Sequence, residues 1–273
     1  MPEMPEVETI ARKLRRTIIG KRVLEVHLSG FPLRRPIPDT FAATLHGRTI
    51  RRIHRRGKYL IAEMEPHAFW LIHLGMSGRI FYFRRAGESA GHTHATIRFT
   101  DSTELQYRDH RRFGLLTVYE AADLGEIPEL RALGCDPLGD GFNGKWLWLR
   151  LKQSRQQIKS FLLDQRRIAG LGNIYVLEAL FHARLRPTRR CHTISRKDAA
   201  ALARAIEKVL QHAIRNRGTS FSDFMDSDGE LGGYQNHLSV FQRKGKSCLR
   251  CGSVIRRVVQ GNRSSYFCPG CQK

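Results

Sequence analysis

The chain has 273 residues, 41% of them hydrophobic, so it carries enough apolar material for more than one core. Lys and Arg outnumber Asp and Glu by 47 to 25, a net charge of +22, which points to a polyanionic partner such as nucleic acid. No apolar run reaches transmembrane length and no signal-peptide layout opens the chain, so a soluble, cytoplasmic protein with no membrane partner is expected; four of the six cysteines fall in the last 26 residues, which argues against a disulfide framework.

The chain opens Met1-Pro2-Glu3-Met4-Pro5-Glu6. A small residue at position 2 lets the initiator methionine be removed, which would leave Pro2 with the free α-amine. Such an amine has a pKa of about 7.7–8.0, against about 10.4 for lysine, so much more of it is an unprotonated nucleophile near neutral pH. A secondary amine that attacks a carbonyl-level carbon gives an iminium, a standing electron sink, and Glu3 is adjacent to move protons.

After Pro5, Val7, Ile10, Ala11, Leu14 and Ile18 repeat at helical spacing, with Gly20 placed to end the helix. Short strands are predicted at 23–26, 49–53, 59–64, 69–74, 80–83, 96–99, 104–107 and 115–119, a pattern that points to a β-sandwich or barrel-like domain over 1–120. Residues 121–145, rich in Gly, Pro and Asp, read as a linker around one short helix. Helices follow at 146–153, 158–163, 173–183 and 197–215. The last starts at a capping-box-like Ser195 and Asp198 and repeats Leu202, Ala205, Ile206, Val209, Leu210 and Ala213. A helical domain over 146–216, a mobile loop over 217–246 and a cysteine unit over 247–273 complete an α+β chain. Cys135 and Cys191 read as structural thiols.

Cys248-x2-Cys251-x16-Cys268-x2-Cys271 has the spacing of two knuckles around one structural Zn2+ ion. A unit this short cannot bury its own core, so the metal must supply much of its folding energy. The arms 254–259 and 264–267 alternate like a β-hairpin and set Arg263 at the turn, either solvated or poised to grip a phosphate. Gly170-Leu171-Gly172-Asn173 at a helix start leaves backbone N–H groups open to an anion, with Arg155 and Lys159 upstream. Lys58 falls at a hairpin turn, and Met76 lies in a Gly-flanked turn after His73. His92 precedes a strand, and Arg111 and Phe113 share another tip. A Met or Phe on an exposed turn packs poorly unless a base stack receives it.

MPEMPEVETIARKL, GKYL, HLGMSG, RRFG, GLGNIYVLEALF, SDFMDSDG and SYFCPGCQ, in this order from residue 2 to 272, resemble the formamidopyrimidine glycosylase and endonuclease VIII family of base-excision repair enzymes. The resemblance implies an N-terminal β-sandwich, a C-terminal helical domain with a helix–two-turns–helix motif, a zinc-ribbon β-hairpin, and damaged double-stranded DNA in a cleft between the halves, bound by a monomer. It implies Pro2 as the Schiff-base nucleophile and Glu3 as proton donor. Lys58 is implied in the β-elimination proton steps or a phosphate contact, and Arg263 in δ-elimination or the lesion's phosphate. His73, His92, Arg155, Lys159 and Asn173 match DNA contacts. Met76, Arg111 and Phe113 match residues that fill the gap left by a flipped base, with Arg111 facing the orphaned cytosine. Met4, His110 and Gln242 depart from the family's usual leucine, proline and glycine, and the 218–234 loop departs in detail. Oxidised purines are the expected lesions, favoured by Arg111, Phe113 and the Ser222-Asp223-Phe224 to Gly229 segment. Action on oxidised pyrimidines, or nucleic-acid binding without catalysis, are the alternatives.

Overall fold

Alternation of apolar and polar residues builds the first half of the chain. In the computed structural model, which describes residues 2–85, 87, 90–220 and 231–273, the chain divides into two compact units. The first is Met1–Arg131 with Asn216–Gly233, the second Ala132–Arg215 with Tyr234–Lys273.

In the first unit a helix, α1 (Met4–Thr17), leads into β1 (Val23–Leu28), α2 (Phe41–Leu45), β2 (Thr49–Arg56), β3 (Tyr59–Glu65) and β4 (Ala68–His73). β5 (Arg79–Phe83), β6 (Thr93–Phe99), β7 (Glu104–Arg108), β8 (Leu115–Tyr119) and a short α3 (Pro128–Arg131) follow. The strands form two four-stranded antiparallel sheets, β1-β6-β7-β5 and β2-β3-β4-β8. Ala95, Ile97, Phe99, Leu105 and Tyr107 of one share a buried cluster with Leu60, Ala62, Met64, Trp70 and Ile72 of the other, and α1 adds Val7, Ile10 and Leu14, with Ile18 just past its end. Residues two apart point to one side of a strand, so this pattern buries one face of each sheet against the other. The expected β-sandwich is present, and every predicted strand lies within three residues of an observed one. Periodicity did not predict α2, which is five residues long. Its Phe41 packs edge-on against Trp70 with ring centres 6.0 Å apart.

The second unit carries α4 (Gly144–Lys152), α5 (Ile158–Leu163), α6 (Asn173–His182) and α7 (Arg196–Arg215), then a hairpin of β9 (Arg256–Gln260) and β10 (Arg263–Phe267). Ser195 Oγ accepts the Asp198 N–H at 3.0 Å and caps α7, while the Asp198 carboxylate lies 3.4 Å from Arg189. The α7 core is Leu202, Ile206, Val209, Leu210 and Ala213 as expected, but Ala205 is only half-buried. Glu178 of α6 is fully buried and accepts the N–H groups of Ser239, Val240 and Phe241 at 2.8, 3.0 and 2.9 Å. Desolvation nevertheless pushes its carboxyl above the usual range. Leu177, Phe181, Val240 and Ile255 make a small core with Cys248 and Cys268, which seats the hairpin on α6. Of the loop expected over 217–246, residues 221–230 lie outside the described residues, and with them the Ser222–Gly229 segment.

Candidate active site and nucleic-acid interface

The head of α1 is built from its own first turn. Pro2 and Glu3 are buried, and Glu3, with extended backbone (φ −101°), is the residue before the helix. Glu6 stands three residues on, where a carboxylate can reach back to an orphan N–H. Its Oε2 accepts the Glu3 N–H at 2.8 Å, and its Oε1 accepts the Thr219 N–H at 2.7 Å. Gly218 beside it has φ +78°, and a Cβ there would stand 2.6 Å from Glu6 Oε1. Glycine is therefore required on both conformational and steric grounds. Glu6 is 2% exposed and was not among the predicted site residues. The Glu-x-x-Glu spacing at a helix start was the signal that could have found it.

Lys58 is also buried, in the tight turn joining β2 to β3 beside Gly57 at φ +57°. Burial, with the charges of Lys58 and Arg34, pulls His73 down to about 4. The ring is thus neutral at neutral pH, and its Nδ1 accepts the Gly75 N–H at 3.0 Å. The proton must then sit on Nε2, which makes His73 a neutral donor rather than a cation. It lines a cavity of about 290 Å³ with Arg34, Arg35, Tyr59 and Leu115.

One buried carboxylate organises the predicted wedge. Asp109, 1% exposed, accepts Ser77 Oγ at 2.5 Å and the Arg111 N–H at 3.3 Å on Oδ1, and the Gly114 N–H at 2.8 Å on Oδ2. Its own N–H donates to the His92 carbonyl at 3.0 Å. Asp109 therefore ties together the turn that carries Met76, the strand entry at His92 and the tip that carries Arg111 and Phe113. The tip is stacked, with the Arg111 guanidinium 4.9 Å from the Phe113 ring centre. Met76 and Phe113 are 38% and 45% exposed, so both present apolar surface outward. A Cβ on Gly75 would stand 2.4 Å from the Phe113 carbonyl, which shows how closely the two turns approach. The ring of His110 lies 6.4 Å from that of His92. Asp109 was not predicted; its only sequence signal is an acid inside the basic run Arg108–Arg112.

In the second unit the predicted residues meet at the hairpin. Lys159 Nζ donates to the Ser264 carbonyl at 3.1 Å and to Ser265 Oγ at 2.7 Å, and Asn173 Nδ2 donates to the same Ser264 carbonyl at 3.1 Å. This fixes the strand next to Arg263, which is exposed. Lys159 is 1% exposed, and burial, followed by the charge of Arg263, pulls it down to about 8. The Gly170–Gly172 turn before α6 is braced by Gln165, whose Oε1 accepts the Gly170 N–H and whose Nε2 donates to the Leu171 carbonyl, both at 2.8 Å. Arg155 is exposed, and its carbonyl accepts from Arg190 Nη1 at 3.0 Å.

The sulfurs of Cys248, Cys251, Cys268 and Cys271 all lie within 4.8 Å of one another. Zn–S bonds of about 2.3 Å in a tetrahedron need sulfurs about 3.8 Å apart, so the four thiolates fit one structural zinc. The N–H groups of Arg250 and Cys271 point at Cys248 and Cys268 Sγ, each at 3.4 Å, the backbone support that a thiolate cluster uses.

The chain is 40% identical to the formamidopyrimidine-DNA glycosylase of Dinoroseobacter shibae over 286 aligned residues, covering all of both proteins. It belongs to the formamidopyrimidine-DNA glycosylase family. Models of that family's N-terminal domain, its H2TH domain and the zinc finger found in FPG and IleRS match residues 1–116, 133–225 and 245–273. The Thermus thermophilus MutM (Fpg) structure is similar with TM-score 0.88 and 38% identity, covering 99% of this chain and 98% of that one. A Lactococcus lactis Fpg in complex with Fapy-dG containing DNA is similar with TM-score 0.91 and 32% identity, covering 99% and 100%. In this glycosylase family member, then, the sandwich, the helical domain and the zinc ribbon predicted from sequence are all present.

Proposed function

We propose that the chain is a base-excision DNA glycosylase and AP lyase that removes oxidised purines from duplex DNA through a Schiff base on Pro2. The observation that carries this reading is the buried Pro2-Glu3 head of α1, held from both sides by Glu6. The ring nitrogen of Pro2 attacks C1′ of the damaged nucleotide, and the glycosidic bond breaks with its electron pair going to the base, which takes up the proton the amine loses; the C1′–O4′ bond then opens to the iminium, with Glu3 giving a proton to O4′. The resulting iminium withdraws electrons so that a C2′ proton is lost and the 3′-phosphate leaves. A second elimination releases the 5′-phosphate. Lys58 serves the first elimination or its phosphate, and Arg263 the second or its phosphate.

Met76, Arg111 and Phe113 fill the space of the flipped nucleotide. Flipping costs a few kcal/mol, and stacking of about 1–3 kcal/mol per contact offsets it. Lys159 uses two of its three N–H donors on Ser264 and Ser265, which leaves one for a phosphate oxygen. Lysine and arginine contacts to the backbone give the +22 chain its hold on DNA. The same reading has it act as a monomer in the cytoplasm. Functionally, 1–120 is the catalytic part, 121–145 a linker, 146–216 the helical DNA-binding domain with its contacts at Arg155, Lys159 and Asn173, 217–246 the loop that caps the lesion, and 247–273 the zinc-ribbon finger.

Borohydride trapping on duplexes that differ only in the lesion tests covalent chemistry and specificity together. Pro2→Gly is expected to abolish trapping and strand cleavage while it binds abasic-site DNA within a few-fold of wild type. Intact-mass analysis should find Met1 absent from active protein. Full activity and trapping by protein that retains Met1 would refute the Pro2 nucleophile, and preferential trapping on oxidised pyrimidines would transfer the chain to the other lesion class.

A further inference from the structure

The half-buried Ala205 marks a second feature of α7. Arg204, Lys208 and His212 are spaced four residues apart and share one face of the helix. With His182 at the end of α6 and the buried Tyr234 they surround a pocket of about 440 Å³, floored by Ala201, Ala205 and Val209. That volume lies in the range of small-molecule sites. Its walls are cationic or titratable, and its floor is apolar with short side chains.

Some exposed arginines find acids, as Arg12 does Glu8, Arg51 Glu65 and Arg166 Asp164. Among the described residues no carboxylate pairs with Arg204 or Lys208. Arg250 adds charge at the His182 corner, its guanidinium 4.4 Å from the Phe181 ring centre and bonded to the Phe181 carbonyl at 3.3 Å.

We propose that this pocket binds a phosphate monoester of nucleotide size, its phosphate on Arg204 and Lys208 and its apolar part against Ala201, Ala205 and Val209. Arg and Lys one turn apart supply a fork and a point charge to one phosphate group. Both histidines titrate below their usual value. Burial lowers His182 first, then Arg250, Lys208 and His212; burial lowers His212 first, then His237, Arg215 and Lys208. A bound dianion opposes those cations and favours protonated imidazole, so binding takes up protons and tightens as pH falls from 7 towards about 6, below which the monoester loses its own second charge.

Calorimetric titration of the full zinc-loaded chain with AMP, and separately with inorganic phosphate, tests this. Saturable binding of one AMP per chain is expected, weakened at least tenfold in the double variant Arg204→Ala, Lys208→Ala. Ala205→Leu fills the floor and should weaken AMP at least tenfold but inorganic phosphate less than twofold. Saturating abasic duplex should not displace AMP, and borohydride trapping by all variants should match wild type. Absence of saturable AMP binding, or equal affinity in the double variant, overturns the proposal. Equal losses of AMP and phosphate in Ala205→Leu would leave only a charged surface, and displacement by duplex would make this face part of the DNA track.

Discussion

Two turn tips, one in each unit, present an exposed arginine, and they are held by opposite means. Arg111 stands on a sandwich whose core joins two sheets and a helix, and its tip is tied down by a buried carboxylate, Asp109, that accepts from a hydroxyl and two N–H groups. Arg263 stands on a two-stranded hairpin with a small core, tied down by a buried ammonium, Lys159, and by the cysteine cluster. The first tip depends on apolar burial and a permanent acceptor. The second depends on a metal and on a lysine whose charge is lost at moderately alkaline pH.

Metal removal gives the largest contrast. Chelation, or Cys268→Ser, should unfold the hairpin and abolish DNA binding, because structural zinc contributes on the order of 10 kcal/mol to folding such units. Amide exchange in β2, β3 and β4 should stay slow throughout. Retained affinity in metal-free protein would remove the contrast.

Asp109→Ala sharpens the other side. It strands the Ser77 hydroxyl proton and the Gly114 N–H, at about 1–3 kcal/mol for a buried group left unpaired, while the Arg111 N–H keeps Ser77 Oγ at 3.3 Å. Denaturant unfolding should show a loss of roughly 2–4 kcal/mol together with erosion of opposite-base preference. Asp109→Asn keeps one acceptor oxygen and should recover part of both. Arg111→Ala comes next. Its stability should be unchanged, and the preference for cytosine opposite the lesion should fall by about 1–3 kcal/mol. Its binding should keep the wild-type salt dependence; equal losses opposite cytosine and adenine, with a shallower salt slope, would make Arg111 a phosphate contact.

Lys159→Ala gives the smallest effect and the one with a pH signature. At pH 7 it should flatten the slope of log affinity against log salt by about one unit, roughly fourfold in affinity between 50 and 200 mM salt, alike for all duplexes. The wild-type protein should lose that same increment as pH rises through about 8, where Lys159 gives up its proton. Stability moves the other way. The folded pKa lies below the unfolded one, so between about 8 and the ordinary lysine value the unfolded chain binds more protons, and this group's contribution to stability rises with pH. Affinity and stability measured on the same samples at pH 7 and 9.5 check both signs.

The sandwich, α7 and the cysteine knuckles were legible because each repeats a pattern: period two, period 3.6 with a serine cap, and paired Cys-x2-Cys. α2 was not, since five residues are too few to show a period, and Phe41 is fixed by Trp70 far along the chain. Pro2, Glu3, Arg111 and Arg263 could be picked out as candidates from the sequence. The groups that hold them were less legible. Asp109 and Gln165 bind backbone N–H groups, which every residue but proline has, so no partner residue marks them in the sequence, and Glu6 is marked only by its Glu-x-x-Glu spacing. Lys159 reads in sequence as a DNA contact beside Arg155, and only the return of Ser264 and Ser265 shows it to be buried.

The bond from Thr219 N–H to Glu6 Oε1 spans 213 positions of sequence. The ribosome releases the helix head first and its last brace some four-fifths of the way through the chain. A nascent chain, or one truncated before Gly218, can expose the N-terminal amine but cannot finish the enclosure around it. The proposed nucleophile thus acquires its final setting only when most of the protein has been made. For the same reason a gene fragment cut at residue 131 does not encode the whole first unit: its remaining piece, Asn216–Gly233, is written after most of the second.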